Sequence, residues 1–131
     1  MVQKRPISSR WLFITAVLGF LAKLVYRPAI VSSGVNDLGL SGVLPNFFWA
    51  AFLTLLFAMW MLPRNALGAS VAANVLYELD QLRPDGFEDN VISSLGRTFD
   101  PWDIVAAVVG ATISYVIVRR EISASKEARA A

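Results

Sequence analysis

Pro101-Trp102-Asp103-Ile104-Val105-Ala106-Ala107-Val108-Val109-Gly110-Ala111-Thr112-Ile113-Ser114-Tyr115-Val116-Ile117-Val118 is an eighteen-residue run with one charged side chain, Asp103, at its start. About 20 mostly apolar residues, with 17 to 25 typical, are enough for a helix to cross the hydrocarbon core of a bilayer. The run has no strict period-two alternation. Lipid offers no water to free backbone groups, so a helix is favoured over a barrel strand. Arg119 and Arg120 follow at once and mark the far boundary.

The rest of the chain agrees with this reading. Of its 131 residues, 56% are hydrophobic and 17% charged, and the mean hydropathy of +0.54 is too high for an ordinary soluble domain of this length. Lys and Arg exceed Asp and Glu by only two, and they gather at the ends of apolar segments. That pattern argues against a nucleic-acid partner. The chain has no Cys, which removes disulfides, thiolate catalysis and Cys-based zinc sites, and no His, which removes imidazole bases.

Four segments approach spanning length: about 10–26, 44–62, 65–82 and 101–118. The expectation is one domain, an all-α polytopic membrane protein built as a four-transmembrane-helix bundle. Lys4, Arg5 and Arg10 ahead of an apolar stretch also fit a secretory signal peptide, but Lys23 and Arg27 follow Ala22 without a small-x-small cleavage site. A retained helix is therefore expected. In a four-span chain the amino terminus, the Pro63-Arg64-Asn65 turn and a short tail 119–131 bearing Arg119, Arg120, Lys126 and Arg129 share one side. The positive-inside rule makes that side, and both termini, cytoplasmic. The opposite face then carries an extended loop from Pro28 to Gly42 and the acidic connection after Leu82, where Asp85 and Glu88 could start a short interfacial helix through Leu95 that stops at Gly96.

Polar residues on the last two helices fall into rows. Ser70, Asn74, Glu78 and Gln81 are spaced four, four and three apart, and Asp103, Ala107, Gly110 and Ser114 are spaced four, three and four. The two rows are expected to face each other, small residues allowing close backbone approach. Glu78, Gln81 and Asp103 would then share the outer end, with Arg97 and Asp100 beside them. Ionisable groups at such depth are costly unless paired, wet or functional, so these five residues form the candidate ligand-binding cluster. Structural roles compete: Asp100 before Pro101 suits a helix amino-terminal cap, Glu78 and Arg97 could be an ion pair holding down a loop, and Ser70 and Asn74 suit helix packing. The tryptophans read as interfacial anchors, and Lys23 as a snorkelling side chain.

Glu78, Gln81, Arg97-Thr98-Phe99-Asp100, Asp103 and Gly110 together resemble the signature of VanZ-like membrane proteins, in which Glu-x-x-Gln precedes Arg-x-x-Asp-x-x-Asp and a glycine-bearing last helix. Asp37 and Leu44-Pro45-Asn46-Phe47-Phe48 are similar to that family's acidic loop and following helix. The resemblance covers roughly residues 35 to 118. Asn46 stands nearest to where the family often has histidine, Ala107 where asparagine is usual, and the stretch from Gln81 to Arg97 is longer than the family norm. The resemblance implies a multi-pass protein of the bacterial cytoplasmic membrane acting in the cell envelope, in a family named for low-level teicoplanin resistance.

The leading expectation is a binding protein. Arg97 would pair with a phosphate or carboxylate on a lipid, lipid-linked precursor or lipophilic glycopeptide, while Gln81 and the acids Glu78, Asp100 and Asp103 orient it. No cofactor and no resident metal are expected. A structural or assembly subunit of a larger membrane complex is the alternative, with Gly68, Ala69, Ala72 and Ala73 available to an external helix. A carboxylate-dependent hydrolase ranks third, because nucleophile motifs and metal-ligand spacings are missing.

Overall fold

The computed structural model describes residues 7, 9–82 and 100–131, and among these every regular element is helical. The first rod runs Ser9–Ser33 in three pieces: α1 (Ser9–Leu21), a π-helical turn (Ala22–Tyr26) and α2 (Arg27–Ser33). It is followed by α3 (Leu40–Ala58), α4 (Pro63–Asp80) and α5 (Pro101–Ala130). The expected interfacial helix at 85–95, along with Arg97 and the basic Lys4 and Arg5, lies outside the described residues.

The first helix is longer than expected, and the loop after it is shorter. A proline inside a helix removes a hydrogen bond, because its nitrogen cannot donate to the carbonyl four residues back. Here the chain widens by one residue before the proline, and the Arg27 amide donates to the Ala22 carbonyl. The helix then continues to Ser33, where Gly34 at φ 68° gives a left-handed cap and donates to the Ile30 carbonyl at 3.1 Å. Only residues 34–39 connect it to α3, in place of an extended loop from Pro28 to Gly42.

The last helix also outruns its expected end. Hydropathy falls at Arg119, but Glu, Ala, Lys, Arg and Ile are good or adequate helix formers, and α5 continues for 30 residues in all. The tail 119–131 is thus helical up to Ala130. Its first turn has the expected cap: Asp100 Oδ1 accepts from the Trp102 amide at 2.9 Å, with Pro101 in the first position.

The inside of the bundle is small and polar, and the outside is large and apolar. Ala50, Ala58, Ala66, Ala107 and Ala111 are buried together with Thr54, Ser70, Asn74, Glu78 and Ser114. Phe13 and Phe20 meanwhile expose 71% and 67% of their surface, and the rod Ser9–Ser33 buries only Ala22. Water would penalise that arrangement, whereas lipid tails are as apolar as the side chains they would touch and leave packing of small residues to join the helices. Three helical rods, Ser9–Ser33, α3 and α5, are long and apolar enough to cross a membrane. α4, which carries Arg64, Glu78 and Asp80, is not among them.

α3 is the hub. Phe47, Ala50 and Leu55 along it meet Gly110, Ala111 and Val118 along α5 in the same order, so these two helices are parallel. Ala58 meets Ala66 and Ala50 meets Ser70, so α4 runs antiparallel to α3. Gly19 of α1 lies against the opposite part of α3, where a Cβ on it would stand 3.5 Å from Phe48 Cβ. Ile7 and Val118 share one apolar cluster with Leu55, Ala58 and Ala66, which puts the start of α1 and the middle of α5 at the same end of the bundle.

α4 and α5 touch, as the two rows lead one to expect, and Ser70 of one row and Gly110 of the other also pack against α3. A Cβ on Gly110 would collide with the Phe47 carbonyl oxygen and come within 3.0 Å of its carbonyl carbon. From α4, Ser70 Oγ donates to the Ala50 carbonyl at 2.9 Å, and Thr54 Oγ1 donates to that same oxygen at 2.9 Å. This α3 carbonyl is thus one polar link between α4 and the bundle.

Candidate functional site

The end of the bundle opposite the Ile7–Val118 cluster gathers Asp37, Asn46, Glu78, Gln81, Asp100 and Asp103. It comprises the last turns of α2 and α4 and the first turns of α3 and α5. On α4 the row is buried as its spacing predicts. Ser70, Asn74 and Glu78 face inward, Asn74 Nδ2 donates to the Ser70 carbonyl at 2.8 Å, and Gln81 Nε2 donates to Glu78 Oε1 at 3.3 Å. Glu78 retains only 2% exposure, so its carboxyl is removed from bulk water.

Asp103 is placed by the Asp100 cap, which fixes the first turn of α5 and turns Asp103 towards α3. There the Asn46 side chain meets it as a hydrogen-bond partner, and the Asp100 carboxylate and Arg27 guanidinium act on it through space. Its Oδ1 is buried and has no hydrogen-bond partner among the described residues. A buried acceptor without a donor is costly, so this oxygen is free to accept from a hydroxyl, amine or amide.

The 34–39 connection adds a second acid. Asp37 accepts from the Tyr26 hydroxyl at 3.1 Å, the Gly39 amide at 3.1 Å and the Ser41 amide at 2.6 Å. Partial desolvation works against its charge, but the hydrogen bonds from Ser41, Tyr26 and Gly39 outweigh it and hold the carboxyl below the ordinary carboxylate range. Asp37 thereby links the π-helical turn to the first turn of α3. Leu38, at φ 58° and fully at the tip, is braced by its amide donating to Asn36 Oδ1 at 3.0 Å.

Of the five expected site residues, Glu78 and Gln81 are joined directly, Asp100 and Asp103 stand one turn apart with Asp100 spent as a cap, and Arg97 lies outside the described residues. Glu78, Asp100 and Asp103 are not gathered into a metal-binding group, and no such group of three occurs among the described residues. The sequence reading left Arg27, Tyr26 and Asn46 out of the ligand-binding cluster. Arg27 reads in the sequence as a helix-end cation able to snorkel to the interface. The Asn46 signal was present, four residues before the buried Ala50 on a helix whose other polar residues are few.

No family model, curated protein or solved structure matches the chain.

Proposed function

We propose that this chain is a VanZ-like protein of the bacterial cytoplasmic membrane that holds the polar head of a lipid, lipid-linked envelope precursor or lipophilic glycopeptide at the polar end of its bundle. In this reading all four helical rods cross the bilayer, α4 shielding its charges at its ends and against α3 and α5, and both termini are cytoplasmic. The positive charge of Arg64, Arg119, Arg120, Lys126 and Arg129 at the opposite end supports that orientation.

The observation that carries the reading is the placement of Glu78 and Asp103. Both carboxyls are drawn into the helix bundle at one end, each beside an amide side chain, Gln81 and Asn46 respectively, and one buried oxygen of Asp103 has no hydrogen-bond partner among the described residues. Acid and amide pairs of this kind accept from hydroxyl, amine and amide donors and leave cations, Arg27 here and Arg97 from the sequence, to meet a phosphate or carboxylate. Exposed apolar residues continue from this end along the bundle, as a lipid-tailed ligand requires.

Cells expressing the chain test the envelope role. A Glu78→Gln/Arg97→Ala variant that inserts and folds normally should lose any change in glycopeptide susceptibility that the parent confers. Retention of every envelope phenotype by that variant would count against the proposal.

An assembly role has one observation of its own. A Cβ on Gly68 would meet nothing within 4 Å, and Ala72 one turn further is exposed, so α4 offers a smooth outer surface to another helix. Co-purification of a stoichiometric membrane protein, lost in a Gly68→Leu/Ala72→Leu variant, would favour that reading.

A further inference from the structure

α5 extends past its neighbours, and its chemistry changes where they stop. Ser114 and Val118 are buried against the bundle, and the same helical face returns at Ile122, Ser125 and Arg129, with spacings of four, four, three and four. α3 has ended at Ala58 and α4 begins at Pro63, so beyond Ile122, which still packs on the cluster of Leu55, Ala58 and Val118, no helix among the described residues covers this face. About 16 Å of helix separate Val118 from Arg129 at 1.5 Å per residue. The overhang and the α3–α4 turn border an open groove of ≈ 490 Å³, lined by the apolar side chains of Leu62, Pro63 and Ile122 and by the cations Arg119, Lys126 and Arg129. Ser123 and Ser125 add two hydroxyls.

All three cations are exposed and lie within about 15 Å of one another along α5. The groove is also continuous with the apolar outer surface, where Trp60 and Leu62 are about half exposed. Cations beside an apolar lining that opens onto a lipid-facing wall complement an anionic head joined to acyl chains. They suit a soluble anion less well, because the apolar lining gives it nothing to bind.

We propose that this groove is a binding site for an anionic phospholipid, its headgroup phosphate held by Arg119, Lys126 and Arg129 and its chains leaving past Leu62. The site is distinct from the polar end of the bundle and rests only on α3 and α5 crossing a bilayer. Basic residues next to a membrane surface each favour anionic lipid, so three acting together are expected to give a preference of at least about tenfold.

Native mass spectrometry of the full chain in neutral detergent, titrated with phosphatidylglycerol or phosphatidylcholine of identical acyl chains, tests this. The parent should retain phosphatidylglycerol at least about tenfold better. Arg119→Gln/Lys126→Gln/Arg129→Gln should remove the preference, whereas Arg10→Gln/Lys23→Gln, which removes two cations elsewhere, should keep it. All of the exchanged side chains are at least partly exposed, and circular dichroism checks that each variant remains helical. Equal binding of the two lipids by the parent, equal loss in both variants, or displacement of phosphatidylglycerol by millimolar inorganic phosphate would overturn the proposal. Glu78→Gln serves as the separate reference, since loss of a ligand there with phosphatidylglycerol retained would concern the polar end alone.

Discussion

Gly110 on α5 lies against the carbonyl of Phe47 on α3 with no room for a methyl group between them. Because the obstacle is backbone, it cannot swing aside as a side-chain tip would. Gly110→Ala is therefore expected to destabilise the bundle by about 1–3 kcal/mol, the usual cost of overpacking. Gly68→Ala is the control, since nothing stands within 4 Å of its added Cβ. Thermal unfolding in detergent should show a clear loss for the first and none for the second.

The Ala50 carbonyl accepts from both Thr54 and Ser70. Ser70→Ala removes the bond that joins α4 to α3 and leaves Thr54 still satisfying the oxygen. The expected loss is small, about 0.6 kcal/mol, as for other hydrogen bonds between membrane helices. A double-mutant cycle with Thr54→Val should reveal coupling, because both donors share one acceptor.

Asp37 makes stability depend on pH. Its carboxyl is held below its ordinary value of 3.8, so the folded state favours the charged form. Its contribution is complete above that ordinary value and is lost as pH falls through the lower folded one. The melting temperature of the parent should fall more steeply below about pH 4 than that of Asp37→Asn. Parallel profiles would show that the Tyr26, Gly39 and Ser41 hydrogen bonds carry no such linkage.

The absence of cysteine makes topology simple to measure. Asn36→Cys should react with a membrane-impermeant maleimide on intact cells, and Arg64→Cys and Ala131→Cys only after permeabilisation. Labelling of all three from outside, or of Arg64→Cys alone, would contradict the four-span arrangement.

Helices were legible in the sequence wherever hydropathy and hydrogen bonding end together, as they do near Pro101 and close to Pro63. They part at Arg119, where polarity rises but good helix formers continue, and at Pro28, where a π-helical turn absorbs the missing amide. The burial of Ser70, Asn74 and Glu78 followed from their spacing alone. That both rows would also pack against α3 did not, because a row of small residues fits any helix that comes close. That packing is set by the antiparallel turn at Met59–Leu62 and by the approach of α5 to Phe47.

The most direct measurement is native mass spectrometry of the gently solubilised chain as it leaves the membrane, set beside folded Glu78→Gln and Asp103→Asn variants. A single small molecule bound to the parent and lost in both variants is the predicted result. An identical ligand pattern in all three proteins, or a bound protein partner with no small molecule, would contradict a ligand site at the polar end of the bundle.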